Sequence, residues 1–173
     1  MTAGELTRMV RRKPLPAGPM EIVASDAERA ALARRFAISA VERLIARVEL
    51  VDAGSAVAVE GRLEADLVQA CAVSGEDFAH TVREPLSFRF VPTRELPDQA
   101  DIEIELAGDE LDDIEYDGDM FDLGEAVAQT LALAIDPYAE GPDADAARKA
   151  AGIVTDDTPR GPLADALAAL KKT

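Results

Sequence analysis

Few residues in this sequence have the type and spacing that chemistry requires, and the tightest group is Cys71-Ala72-Val73-Ser74. A Cys-x-x-Ser spacing can serve as a one-thiol redox site when the thiolate sits at a helix N-terminus. Here the cysteine ends a strand pattern and opens a turn. Glu76 and Asp77 stand close by, and such neighbours raise a thiol's pKa. Cys71 therefore reads as a partly buried structural thiol. With His80 the only histidine and Cys71 the only cysteine, the chain cannot assemble a tetrahedral zinc site by itself. A Cys–His nucleophile pair would also lack an orienting third group. The segment Asp113 to Asp119 starts like a calcium loop, but position three is Glu115 and position twelve falls on Gly124, so the bidentate carboxylate is missing. The carboxylate pairs Asp143/Asp145 and Asp156/Asp157 have no acid–base partner nearby in sequence, and no glycine-rich phosphate loop occurs. The residues point to a protein that binds rather than catalyses, with no cofactor and no metal.

Charge narrows what it would bind. The 173 residues carry a formal net charge of −16, unevenly placed. Residues 1–50 hold nine Lys/Arg against six Asp/Glu, whereas residues 51–173 hold nine against twenty-eight. From Glu95 to Glu125 there are fourteen carboxylates and no Lys or Arg. Such a field repels phosphate backbones and attracts basic partners. Any RNA contact is therefore expected in the basic N-terminal third, through Arg8, Arg11, Arg12, Lys13, Arg29, Arg34 and Arg35. The lone cysteine excludes an internal disulfide and suits a reducing compartment. The basic N-terminus has no apolar run of signal-peptide type behind it, and no stretch approaches about 18 apolar residues. A cytoplasmic protein is expected, with no membrane partner.

The elements that would position these residues are legible from their periods. Residues 5–10 and 20–24 read as short strands separated by Pro14, Pro16, Gly18 and Pro19. Ser25 or Asp26 can cap a helix over Ala27–Phe36, with Glu28 completing a capping box and Ala30, Leu32, Ala33 and Phe36 forming its apolar side. From Leu44 the period becomes two, through Ala46, Val48 and Leu50. Turn residues at 52–55 lead into Val57, Val59, Gly61, Leu63, Ala65 and Leu67, an antiparallel hairpin with a bend or bulge expected at Gly61. Another strand follows from Phe78 to Phe90, interrupted at Pro85. The acidic segment 92–119 reads mostly as loop, with an edge strand suggested by Ile102, Ile104 and Leu106. Asp122 as N-cap and Glu125 at N3, satisfying two backbone donors reciprocally as a capping box, open a helix with a Leu123, Val127, Leu131, Ile135 stripe, ended before Pro137. A short helix over 143–151 closes at Gly152.

Three separated stretches resemble one family. Gly61 through Ser74, followed by Phe78-Ala79-His80, resembles an alternating strand that ends in a Cys-x-x-Cys or Cys-x-x-Thr turn. Asp122-Leu123-Gly124-Glu125 through Tyr138 is similar to an acidic, helix-opening motif. Gly161-Pro162-Leu163 through Lys172 is similar to a closing Pro-Phe-x-x-Leu-x-x-Leu-Lys segment. Together they resemble the YceD family of large ribosomal RNA subunit accumulation proteins. The resemblance implies a bacterial or organellar factor, not an enzyme, for accumulation or processing of 23S rRNA and large-subunit assembly, acting by binding rRNA. Its motif residues would be Cys71, Ser74, Asp122, Leu123, Gly124 and Glu125. Ser74 stands where many members have a second cysteine, so a role for a cysteine pair does not carry over.

The expected architecture is α+β: a twisted antiparallel, partly barrel-like sheet with helices packed on one side. Residues 1–152 would form a single domain, 153–161 a polar linker, and 162–173 a short C-terminal helix or docking segment. The expected partner is large-subunit rRNA or its precursor. The alternative is a basic ribosomal protein, held by the acidic segment in an escort role.

Overall fold

The computed structural model describes residues 4–93 and 113–153. Its centre is the hairpin that the period of two requires. Strand β3 (Ala40–Ala53) turns at Gly54 into β4 (Ala56–Ala70), and the two pair antiparallel from Ala53↔Ala56 back to Ala40↔Val68. The third long strand, β5 (Asp77–Pro92), pairs antiparallel with β4 from Ala70↔Asp77 to Val57↔Phe90. A short strand, β2 (Met20–Val23), adds to the other side of β3. Strand β6 (Asp113–Tyr116) joins β5 in parallel at Arg89–Pro92. The order is β2-β3-β4-β5-β6. Among the described residues the sheet is open, with β2 and β6 at its edges, and is not closed into a barrel.

Residues of one parity face the core: Leu44, Ala46, Val48 and Leu50 of β3, Val57, Val59, Leu63, Ala65 and Leu67 of β4, and Leu86, Phe88 and Phe90 of β5. The helices α1 (Asp26–Phe36), α2 (Leu123–Ala134) and α3 (Ala144–Ala150) follow their expected positions. Leu32 and Ala33 of α1 and Leu123, Ala126, Val127, Ala128 and Leu131 of α2 belong to the same apolar cluster as those strand residues. Ala30 is exposed instead. A further two-stranded ladder pairs β1 (Met9–Arg11) with β7 (Met120–Asp122), antiparallel. It sets Phe121 against Phe90, with stacked rings whose centroids are 4.2 Å apart. The expected strand over residues 5–10 is thus only its last part, continued by one residue.

Two local expectations are corrected. The β3–β4 register passes through Val48↔Gly61 without a slip, and the irregularity lies at Val41/Arg43 instead. Gly61 is needed for another reason: a Cβ there would collide with the Arg47 carbonyl oxygen on β3. Pro85 does not interrupt β5, which pairs through Arg62↔Pro85. Among the described residues β5 has a second partner only at Arg89–Pro92, so the missing proline N–H removes no bond on that far side. The strand suggested by Ile102, Ile104 and Leu106, most of the linker, and the C-terminal segment 162–173 lie outside the described residues.

Candidate functional site

Tertiary structure divides the seven basic residues expected to meet RNA into two groups. Arg8 forks onto both oxygens of Glu28, at 2.6 and 3.1 Å, and also donates to the carbonyls of Thr7 and Val23. That hydrogen bond, with Ser25 donating from its backbone and hydroxyl, holds the Glu28 carboxyl at a pKa of about 2 despite partial burial. Arg12 is almost wholly buried. It donates to Asp52 at 3.0 and 3.3 Å and to the Gly54 carbonyl at 2.6 Å, fastening β1 to the tip of the β3–β4 hairpin. Arg35 donates to both oxygens of Glu125, at 2.7 and 2.8 Å, and to Glu5 at 3.0 Å. These three arginines are joints between segments far apart in sequence.

None of the other four makes a side-chain hydrogen bond to a distant segment among the described residues. Arg29 reaches Asp26 and the Ala24 carbonyl, both at 3.1 Å, within its own helix start. Arg11 is exposed and only 4.0 Å from the equally exposed Asp119. Lys13 and Arg34 are exposed and have no carboxylate at ion-pairing distance among the described residues. Arg29 and Arg34 share the wall of a groove of about 310 Å³ with Ala33, Ile38, Ser39 and Val41, between α1 and the start of β3. The structure thus brings two of the seven to one concave surface and withdraws three into the framework.

The acidic motif is structural to a degree the sequence only hinted at. Asp122 caps α2, its Oδ1 accepting from Gly124 N at 3.0 Å and Glu125 N at 3.2 Å. The same oxygen accepts from Arg8 N at 2.8 Å, and Leu123 N donates to the Arg8 carbonyl at 3.0 Å. The segment Leu6–Arg8 therefore crosses directly over the helix start. Gly124 makes that crossing possible, since a Cβ there would lie 2.5 Å from the Leu6 carbonyl oxygen and 2.8 Å from Arg8 N. Leu123 is fully buried. Glu125 does not complete the expected capping box. It turns to Arg35 and accepts from Gln129, and the Arg35 hydrogen bond lowers its pKa.

Cys71 departs from its expected behaviour. Its Sγ accepts from Val73 N and Ser74 N, each at 3.4 Å. The Ser74 hydroxyl and these backbone donors, joined by that of Gly141, draw the thiol pKa down to about 7 even though the side chain is buried. Burial, not the carboxylates of Glu76 and Asp77, is what pushes it up, and the Ser74 hydroxyl with the N–H groups outweighs it. His80 lies on β5, its ring stacked on Phe78, and its Nδ1 is buried without a hydrogen-bond partner among the described residues. Asp113, first residue of the calcium-like segment, instead pairs with Arg89 at 2.6 Å across β5–β6. Among the described residues no cluster of three metal-capable side chains forms.

The family model for the large ribosomal RNA subunit accumulation protein YceD matches residues 59–172. The chain belongs to the YceD family. By that membership it is involved in the accumulation of large-subunit ribosomal RNA. No curated protein and no solved structure matches the chain. The YceD match contains Cys71, Ser74 and Asp122–Glu125, while the seven basic residues expected to meet RNA all lie before it. No helix among the described residues is long and apolar enough to cross a membrane. Sequence reasoning passed over Arg43, Arg47, Arg62 and Arg83, which the register gathers on the face of the sheet opposite the core. For Arg47 and Arg62 the signal was available, since each alternates with the apolar or glycine positions Ala46, Val48, Gly61 and Leu63.

Proposed function

We propose that this YceD-family protein acts as a non-enzymatic factor that binds large-subunit rRNA, or its precursor, and so supports accumulation of that RNA and assembly of the subunit. The observation that carries this reading is the family match over residues 59–172. The residues available for RNA in the basic N-terminal third are Arg11, Lys13, Arg29 and Arg34. Arg8, Arg12 and Arg35 contribute by holding that third against α2 and the hairpin. Binding through phosphate contacts releases counterions, so affinity falls as salt rises. The test is a gel shift with a precursor fragment of large-subunit rRNA at low and moderate salt, using wild type and the triple variant Arg11→Glu, Lys13→Glu, Arg34→Glu. Salt-sensitive binding that the triple variant weakens is expected. Absence of any shift with wild type at low salt refutes the reading.

The charge of −16 favours a second reading, an escort that holds a basic ribosomal protein and acts on rRNA indirectly. Pull-down from lysate with and without nuclease separates the two. A ribosomal protein retained after nuclease, together with no affinity for naked rRNA, would put the escort first.

A further inference from the structure

The solvent face of the five-stranded sheet holds an arrangement that its own stability does not explain. Arg47 of β3 lies directly across from Arg62 of β4. Like charges directly opposite on an antiparallel pair repel one another. The rest of that row is Glu21 on the β2 side and Pro85 on the β5 side. Glu21 answers Arg47 at 2.6 Å. Arg62 has no carboxylate at ion-pairing distance among the described residues, in a protein with 34 carboxylates and 18 Lys/Arg. In the neighbouring row Val23, Ile45, Glu64 and Arg83 lie side by side. Arg83 is only loosely held, 3.6 Å from Glu64, which Arg43 already engages. Arg43, Arg47, Arg62 and Arg83 line one open groove of about 300 Å³, with Ile45, Pro85 and two carboxylate residues, Glu64 and Glu84, also in its walls, so that four arginines face two glutamates.

An arginine fork beside apolar surface suits an anion that also carries flat apolar groups. Guanidinium groups bind phosphate oxygens with two donors and stack on bases. Single-stranded RNA offers both, whereas a duplex keeps its bases stacked inside. Resting on the RNA-binding reading above, we propose that this groove, centred on Arg62 with Arg47 and Arg83, binds the phosphodiester backbone of a single-stranded RNA segment laid across β3, β4 and β5.

The test is fluorescence anisotropy with a short labelled single-stranded RNA and a duplex of the same length, over a salt series. Wild type is compared with Arg62→Glu, Arg83→Glu and the N-terminal triple variant, each checked by thermal melting. Arg62 has no ion pair to lose among the described residues, so Arg62→Glu should fold normally, and Arg83→Glu serves as a second probe. Loss of one charge-assisted contact should weaken single-strand binding by about tenfold. The slope of log K against log salt should become shallower by about 0.7 for each phosphate contact removed. Wild-type affinity and slope in both single variants, with binding lost only in the N-terminal triple variant, would overturn the groove and leave RNA binding standing. Tighter binding to the duplex than to the single strand would also overturn it. Failure of wild type to bind either RNA would remove both readings together.

Discussion

Gly124→Ala is the sharpest perturbation available, because local and tertiary physics give it opposite signs. In an isolated helix, alanine is favoured over glycine by about 1 kcal/mol. Here the new methyl would stand 2.5 Å from the Leu6 carbonyl oxygen and 2.8 Å from Arg8 N, both backbone atoms that cannot swing aside. To admit it, the segment Leu6–Arg8 must lift from the helix start. That breaks the 3.0 Å bond from Leu123 N to the Arg8 carbonyl and the 2.8 Å bond from Arg8 N to the Asp122 carboxylate. The first contributes about 1 kcal/mol and the second, being charge-assisted, about 2 kcal/mol. Set against the helix gain, the net loss is about 2 kcal/mol, before any exposure of the fully buried Leu6. Urea denaturation followed by far-ultraviolet circular dichroism measures it, and hydrogen exchange at Arg8 N–H reports the lifted segment. A variant as stable as wild type, or more stable, would refute the crossing as described.

Gly61→Ala should cost about 1–3 kcal/mol, as extra volume forced into a packed site does, because its Cβ meets the Arg47 carbonyl; an unchanged urea midpoint would contradict this. Glu28, held at a pKa of about 2 from an ordinary value of 4.5 by Arg8, adds stability above pH 4.5 that is lost as pH falls toward 2. In Glu28→Gln that contribution is absent, so the stability difference from wild type should shrink through this window, and a constant difference would count against the pairing. Thiolate absorbance of Cys71 should titrate near pH 7, and the midpoint should rise in Ser74→Ala, whose hydroxyl is the leading cause of the lowered value. A midpoint that Ser74→Ala leaves unmoved would show that the hydroxyl plays no such part.

The readable parts of this protein were those whose signals are local. Alternation from Leu44 to Leu67 reports a half-buried strand pair because side-chain parity is fixed along each strand. Ser25 and Glu28 announce a helix start because the donors they satisfy are three residues away. Partners chosen across the fold left no such mark. Nothing near Arg12 in sequence says that Asp52 will take it, and nothing near Glu125 says that Arg35 outcompetes the cap. The pairing of Met9–Arg11 with Met120–Asp122 spans more than a hundred residues and rests on two strands of three residues each. Such strands are too short for their own periodicity to announce them. The direction in which the Cys71 pKa moves was misread because carboxylates are visible in a sequence, whereas the turn that brings the Ser74 hydroxyl and backbone N–H groups to the sulfur is not. The arginines of the sheet's solvent face were missed because basic residues were weighed by region rather than by the face their strand positions assign them.

The crossing of Leu6–Arg8 over the start of α2 has a consequence for how this chain can be divided. The family signature lies within residues 59–172, yet the groups that grip it come from residues 5–35. A fragment cut to the matched region would carry Asp122, Gly124 and Glu125 intact and leave each of them without its counterpart. Leu123 N–H would lose the Arg8 carbonyl that accepts from it. Experiments on the signature therefore require the amino-terminal stretch to be present, since the two were shaped to one another and neither is a free-standing part.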